Sequence, residues 1–301
     1  MPELPDLTIY QERLDALVRG QRLEGLRLFS VFVLRTVDPP LLDLVGRRLL
    51  CTGRIGKRLT LRFEGDLSLV IHLMIAGRLR WKPAGARPSG KTGLCALDFE
   101  RGTLMLTEAG SRKRASLHLV SGPDPLRAFE RGGYEILTGD LPGFRVALLR
   151  ENRTLKRVLT DPRLFSGVGN AFSDEILFQA RLSPLKLTSR LEPEQIRRLR
   201  EAAVSTLESW IERIRAEVGD DFPDRVTAFR DGMAVHGRYR LPCPECGTPI
   251  QRIRYAGNEC NYCAACQNEG RLLRDRALSQ LLKQDWPRTL EELEERRKGH
   301  P

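Results

Sequence analysis

The sequence predicts an α+β protein: an N-terminal β-sandwich with flanking helices, then a helical domain, then a small ribbon built on four cysteines. Three features carry this reading. Apolar residues alternate from about Arg22 to Val120, they return to helical spacing beyond Pro142, and two Cys-x-x-Cys pairs lie near the C-terminal end.

Leu7, Tyr10, Leu14 and Leu17 recur at helical spacing and predict one short helix over Asp6 to Leu17. Alternation follows in Leu59, Leu61 and Phe63, in Leu67, Leu69 and Ile71, and in Leu104 and Leu106, with glycines between, as in a β-sandwich or barrel. Ile196, Leu199, Ala203, Leu207, Trp210 and Ile214 then mark one face of a long helix, and Pro193 suits its first turn. The stretch holding Pro123, Pro125, Gly132, Gly133, Gly139, Pro142 and Gly143 reads as a linker. The expected domains are 1–135, 136–240, a ribbon at 241–268 and a helical tail at 269–301.

Fifty Lys and Arg against 39 Asp and Glu leave a net charge of +11. Such an excess favours a polyanionic partner, because phosphate binding releases counterions, although solvated surface charge gives the same number. No stretch approaches the ~20 apolar residues of a membrane span, so a cytosolic, nucleoid-associated, monomeric protein is expected, with no membrane partner. Cys51 and Cys95 sit in apolar contexts as buried thiols.

The other five cysteines crowd into Cys243 to Cys266, which in an intracellular protein points to metal. Cys243-Pro-Glu-Cys246 is followed, after sixteen intervening residues, by Cys263-Ala-Ala-Cys266. Two such knuckles bring four thiolates around Zn²⁺ and leave no open coordination position, so the expected zinc is structural. Cys260 and Cys263 also make a Cys-x-x-Cys, and spacing alone does not choose between the pairs. Phe165-Ser166-Gly167-Val168-Gly169-Asn170 lies between two helical stretches. Gly167 and Gly169 would let backbone amides approach a phosphate, with Asn170 capping the next helix, although a plain helix-helix turn has the same pattern.

Taken together and in this order, Pro2-Glu3-Leu4-Pro5, the hairpin ending at Asn170 and the terminal cysteine ribbon resemble the formamidopyrimidine-DNA glycosylase and endonuclease VIII family. The resemblance runs from Pro2 to about Gln267 and includes Leu155-Lys156-Arg157 and Asp174-Glu175-Ile176-Leu177-Phe178. It implies a helix-two-turn-helix domain, damaged double-stranded DNA as partner, and a combined base-excision glycosylase and abasic-site lyase. The family's closing Cys-x-x-Cys-Gln matches Cys263, Cys266 and Gln267, which makes Cys243, Cys246, Cys263 and Cys266 the implied zinc ligands and Cys260 the spare.

The same resemblance implies that Pro2, freed of Met1, is the nucleophile, that Glu3 is the catalytic acid, and that Lys57 is a strand-borne cation on the phosphate beside the lesion. Asn170 would hold the backbone of the damaged nucleotide, and Glu175, which aligns with an acidic residue of the same helix, reads as structural or supporting. Met74 or Ile75 would wedge between bases, or else belong to strand core. Where the family carries an Arg-Phe pair in its second void-filling loop, this chain has Arg112, Lys113 and Arg114 and no aromatic. Asn258 replaces the ribbon's usual arginine, leaving Arg252 and Arg254 as substitutes, and Asp6 replaces a glutamate. The stretch from Val218 to Gly232 is short where members specialised for 8-oxoguanine carry a lesion-covering loop. Two other readings follow: a noncatalytic zinc-ribbon DNA-binding protein, or an enzyme for bulky or crosslinked bases.

Overall fold

The computed structural model describes the chain except for residues 111, 225, 256–257, 275–286 and 299–301. It divides into two units, Met1–Gly132 with Ser209–Ala228, and Gly133–Glu208 with Phe229–Pro301.

The first unit opens with helix α1 (Leu4–Val18), preceded by Glu3 in extended conformation as its N-cap. Eight strands follow, β1 (Leu23–Leu28), β2 (Leu49–Ile55), β3 (Arg58–Phe63), β4 (Leu67–His72), β5 (Gly77–Lys82), β6 (Gly93–Phe99), β7 (Gly102–Glu108) and β8 (Ser116–Ser121). They form two antiparallel sheets ordered β1-β6-β7-β5 and β2-β3-β4-β8. The alternation seen in the sequence is the reason: Leu59, Leu61 and Phe63 of one sheet and Leu97, Phe99, Leu104 and Leu106 of the other bury into one shared core. Helix α1 lies against β2, where Asp15 Oδ1 accepts the Thr52 amide at 3.0 Å.

The expected linker is ordered. Pro123–Arg127 form helix α2, the break between units falls at Gly132/Gly133, and Asp140 caps helix α3 (Leu141–Leu149) by accepting the Gly143 amide at 2.9 Å. Residues 209–228, expected in the helical domain, group with the sandwich. The cause is apolar: Val226 is buried in the sandwich core, and the Phe222 ring lies 5.5 Å from that of Tyr10. The short stretch expected to bear on lesion covering is thus partly spent on packing.

In the second unit, α4 (Leu155–Thr160) and α5 (Asn170–Gln179) flank the glycine turn. Tyr134 pins that turn, its amide donating to Leu164 and its carbonyl accepting from Ser166 at 2.9 and 3.0 Å. The long helix α6 (Pro193–Val218), whose residues up to Glu208 belong to this unit and the rest to the first, buries Ile196, Leu199, Ala203, Leu207, Trp210 and Ile214, as its spacing predicts. Strands β9 (Gln251–Tyr255) and β10 (Asn258–Tyr262) make the ribbon, followed by α7 (Ala264–Asn268).

Of the tail, α8 (Leu290–Lys298) is helical, and Leu272, Leu273 and Leu290 pack against Ile253, Tyr262 and Ala264 of the ribbon region. Leu278, Leu281, Leu282 and Trp286, also expected in a tail helix, lie outside the described residues. Among the described residues no helix is long and apolar enough to cross a membrane.

Candidate active site and DNA-binding elements

The chain start is built into the sandwich unit. Pro2 is buried, Glu3 is 3% exposed, and Glu3 and Asp6 cap one another: the Glu3 amide donates to Asp6 Oδ2 at 3.0 Å while the Glu3 carboxylate accepts the Asp6 amide. The α-amino group at Met1 is held below the ordinary amine range, chiefly by burial, with Arg78 and Lys57 acting in the same direction against Glu3 and Asp6. Four side chains and the amine therefore share one electrostatic neighbourhood. Arg78 was not singled out by the sequence, where it is one arginine among many.

Lys57 sits in the two-residue turn Gly56-Lys57 between β2 and β3 and not on a strand, a correction with a simple cause: Gly56 adopts φ +59°, which ends β2 there. Met74 and Ile75 likewise lie outside strand core. They form the turn from β4 to β5, with Met74 at φ +53° and Ile75 60% exposed. Gly77 closes that turn by donating to the Leu73 carbonyl at 2.9 Å, an approach so tight that a Cβ would collide with the same oxygen.

Register brings a second loop beside this turn. His72 pairs with Ser116 in one sheet and Gly77 with Glu108 in the other, so the β4–β5 turn and the β7–β8 loop leave from adjacent strand ends. That loop carries Arg112 and Arg114, both exposed, and Lys113, whose ammonium is bonded to the Glu108 carbonyl. His72, facing Arg58, Lys57 and His118, is pushed down to about 4, first by burial and then by those cations.

In the second unit, Gly167 takes φ +78°, and Gly169, not Asn170, is the N-cap of α5. The expected Asn170 cap is replaced by a longer contact: its Nδ2 donates to the Glu259 carbonyl of β10 at 2.7 Å. Beneath it lies a buried network that sequence reasoning missed. Lys156, 1% exposed, donates to the Asn170 carbonyl at 2.6 Å and to Asp174 Oδ1 at 2.5 Å. Asp174 Oδ2 meets His236 Nδ1 at 2.8 Å and accepts the Asn261 amide at 3.1 Å. Glu175 accepts the amides of Ala234, Val235 and His236 at 2.7–2.9 Å, which fits the supporting role expected for it. Burial raises its carboxyl above the usual range against those three donors. The sequence signal was present: two adjacent acids inside an apolar helical stretch.

Arg252 and Arg254 both face Glu259, at 3.1 and 3.5 Å, and the Arg252 guanidinium stacks 4.1 Å from the Tyr239 ring centre. The side chain of Asn258 lies outside the described part. The thiols of Cys243, Cys246, Cys263 and Cys266 all fall within 4.8 Å of one another, with Sγ···Sγ distances of 3.9 Å for Cys243–Cys266 and 3.5 Å for Cys246–Cys263. Cys260 is excluded from the group: it is buried beside Asp174, and burial raises its thiol well above the ordinary range.

Residues 1–116 match the formamidopyrimidine-DNA glycosylase N-terminal domain, and residues 137–220 the formamidopyrimidine-DNA glycosylase H2TH domain. The formamidopyrimidine-DNA glycosylase of Thermus thermophilus is 37% identical over 281 residues, 90% of this chain and all of the relative. That of Solibacter usitatus is 33% identical over 89% of this chain and 99% of the relative. The crystal structure of the Thermus thermophilus MutM (Fpg) protein superposes with a TM-score of 0.75 at 34% identity, over 89% of this chain and all of that one. A complex of the LlFpg protein with a THF-DNA and an inhibitor gives 0.79 at 25% identity with the same coverage. On this evidence the chain belongs to the formamidopyrimidine-DNA glycosylase family.

Proposed function

We propose that this protein excises damaged, chiefly oxidised, bases from double-stranded DNA and cuts the strand at the resulting abasic site, with Pro2 as nucleophile once Met1 is removed. The family's glycosylase activity and the DNA held by a solved relative support the class of reaction. The observation that carries the mechanism is the chain start itself, buried beside Glu3 in a neighbourhood where desolvation, with the cations Arg78 and Lys57, holds an amine below its ordinary basicity.

The chemistry follows from a neutral secondary amine. The Pro2 nitrogen forms a bond to C1′ of the deoxyribose, the C1′–base bond breaks, and the base leaves with the electron pair and takes up a proton. Glu3 protonates O4′ as the sugar ring opens, giving an iminium between Pro2 and C1′. The iminium acidifies the C2′ proton, whose removal expels the 3′ phosphate. A second elimination expels the 5′ phosphate, and water releases the enzyme. Lys57, Arg112 and Arg114 supply cations for phosphates, the Met74–Ile75 turn fills the space of the extruded nucleotide, and Gly167, Gly169 and Asn170, with Arg252 and Arg254, hold the backbone.

The four cysteines fit zinc. Tetrahedral Zn–S bonds of ~2.3 Å require sulfurs about 3.8 Å apart, and the observed 3.5 and 3.9 Å bracket that value. Zinc there would tie the knuckle at Cys243–Cys246 to that at Cys263–Cys266 and leave the chemistry to Pro2.

The test is borohydride trapping of the methionine-processed protein on a duplex with one abasic site, followed by mass mapping of the adduct. A reduced adduct on the Pro2 nitrogen is the expected result. Processed protein that binds the duplex yet forms no adduct, or forms it on a lysine, overturns the mechanism.

A further inference from the structure

Glu108 ends β7 as a carboxylate only 2% exposed, and neither the reaction above nor the core accounts for it. Its Oε2 accepts two consecutive backbone amides, Arg114 at 2.8 Å and Ala115 at 3.0 Å, while its own carbonyl holds the Lys113 ammonium. Three contacts from residues five to seven positions later fold the loop back onto its root. A buried carboxylate is costly unless it is bonded in this way, so the loop's conformation and the acid's burial sustain one another.

The consequence is spatial. Lys113 is drawn inward, which leaves Arg112 and Arg114 exposed on either side of it. Because Glu108 pairs with Gly77, the folded loop stands beside the turn that carries Met74 and Ile75. A seven-residue loop without this tether would sample many backbone states, and ordering it on a phosphate would then oppose binding.

We propose that Glu108 is the positioning residue of a two-arginine phosphate clamp, preorganising Arg112 and Arg114 next to the base-replacing turn. The proposal rests on the reading of the sandwich end as the DNA site. It assigns the grip there to charge on the backbone, with the apolar Ile75 as the neighbouring wedge.

The test uses the full, methionine-processed chain and a duplex carrying a tetrahydrofuran abasic analogue, with Kd measured by anisotropy across a salt series for wild type, Glu108→Ala, Glu108→Gln and the double variant Arg112→Ala/Arg114→Ala. Losing two phosphate contacts should reduce the salt slope by about 1.8. Glu108→Ala should raise Kd and lower the slope in the same direction, Glu108→Gln, which keeps one acceptor oxygen, should restore part of it, and adding Glu108→Ala to the double variant should change nothing further. An unchanged slope in Glu108→Ala, or additive losses in the triple variant, overturns the proposal. Failure of wild type to bind the duplex refutes the DNA site instead, and circular dichroism melting identifies a variant that has lost the fold, in which case the Glu108→Gln slope decides.

Discussion

Asp174 accepts the Lys156 ammonium at 2.5 Å on one oxygen and meets His236 Nδ1 at 2.8 Å with the other, with both carboxylate and ammonium effectively out of solvent. The pair joins α4 to α5, and through the Asn261 amide it joins α5 to the ribbon. Opposite charge at Lys156, followed by the His236 hydrogen bond, outweighs burial and keeps the Asp174 carboxyl below the usual range.

Removing one partner of this pair strands the other in a dry interior. Asp174→Asn and Lys156→Met should each cost ~3–5 kcal/mol, measured by chemical denaturation. The double variant should cost much less than the sum. Additive losses would show that the pair is not coupled.

Glu3→Gln keeps an oxygen that can accept the Asp6 amide, so the helix start should lose under ~1 kcal/mol. Base excision should fall by ~10²–10⁴. Single-turnover release of a damaged base, alongside thermal melting, separates the two effects, and retained excision would remove Glu3 from the acid role.

His72 supplies a pH signature. The folded protein refuses a proton that the unfolded chain accepts between about pH 6.5 and about pH 4, so stability contributed by the neutral ring is complete above the upper value and is lost as pH falls toward the lower. His72→Gln should flatten that limb of the melting-temperature profile. Parallel profiles for variant and wild type would contradict the assignment.

Metal content distinguishes the two cysteine registers. Cys266→Ser should lose the bound zinc, whereas Cys260→Ala should retain one per chain by elemental analysis, because its thiol lies outside the four-sulfur group. Zinc lost from Cys260→Ala would restore the alternative register.

Much of the proposed site was legible in the sequence because its chemistry would be written in rare residues at fixed spacing. Pro2-Glu3 and the paired Cys-x-x-Cys knuckles are of that kind. Glu108 and His236 were not legible, and the partners of Asp174 were not either, since an acid or a histidine does not name its partner until folding supplies it. Asn170 was expected as a cap and is not one, because its side chain reaches Glu259, a contact that spans 89 positions.

The amino-acid sequence alone determined the sandwich, the long amphipathic helix and the paired cysteine knuckles, which rest on local periodicity or spacing, and the family, which rests on the resemblance of its motifs in order. Tertiary structure decided the rest. It moved residues 209–228 to the sandwich unit because apolar Phe222 and Val226 found burial there. It also set the Ile75 turn beside the Arg112–Arg114 loop, because strand register, which depends on partners distant in the chain, chose which ends are neighbours.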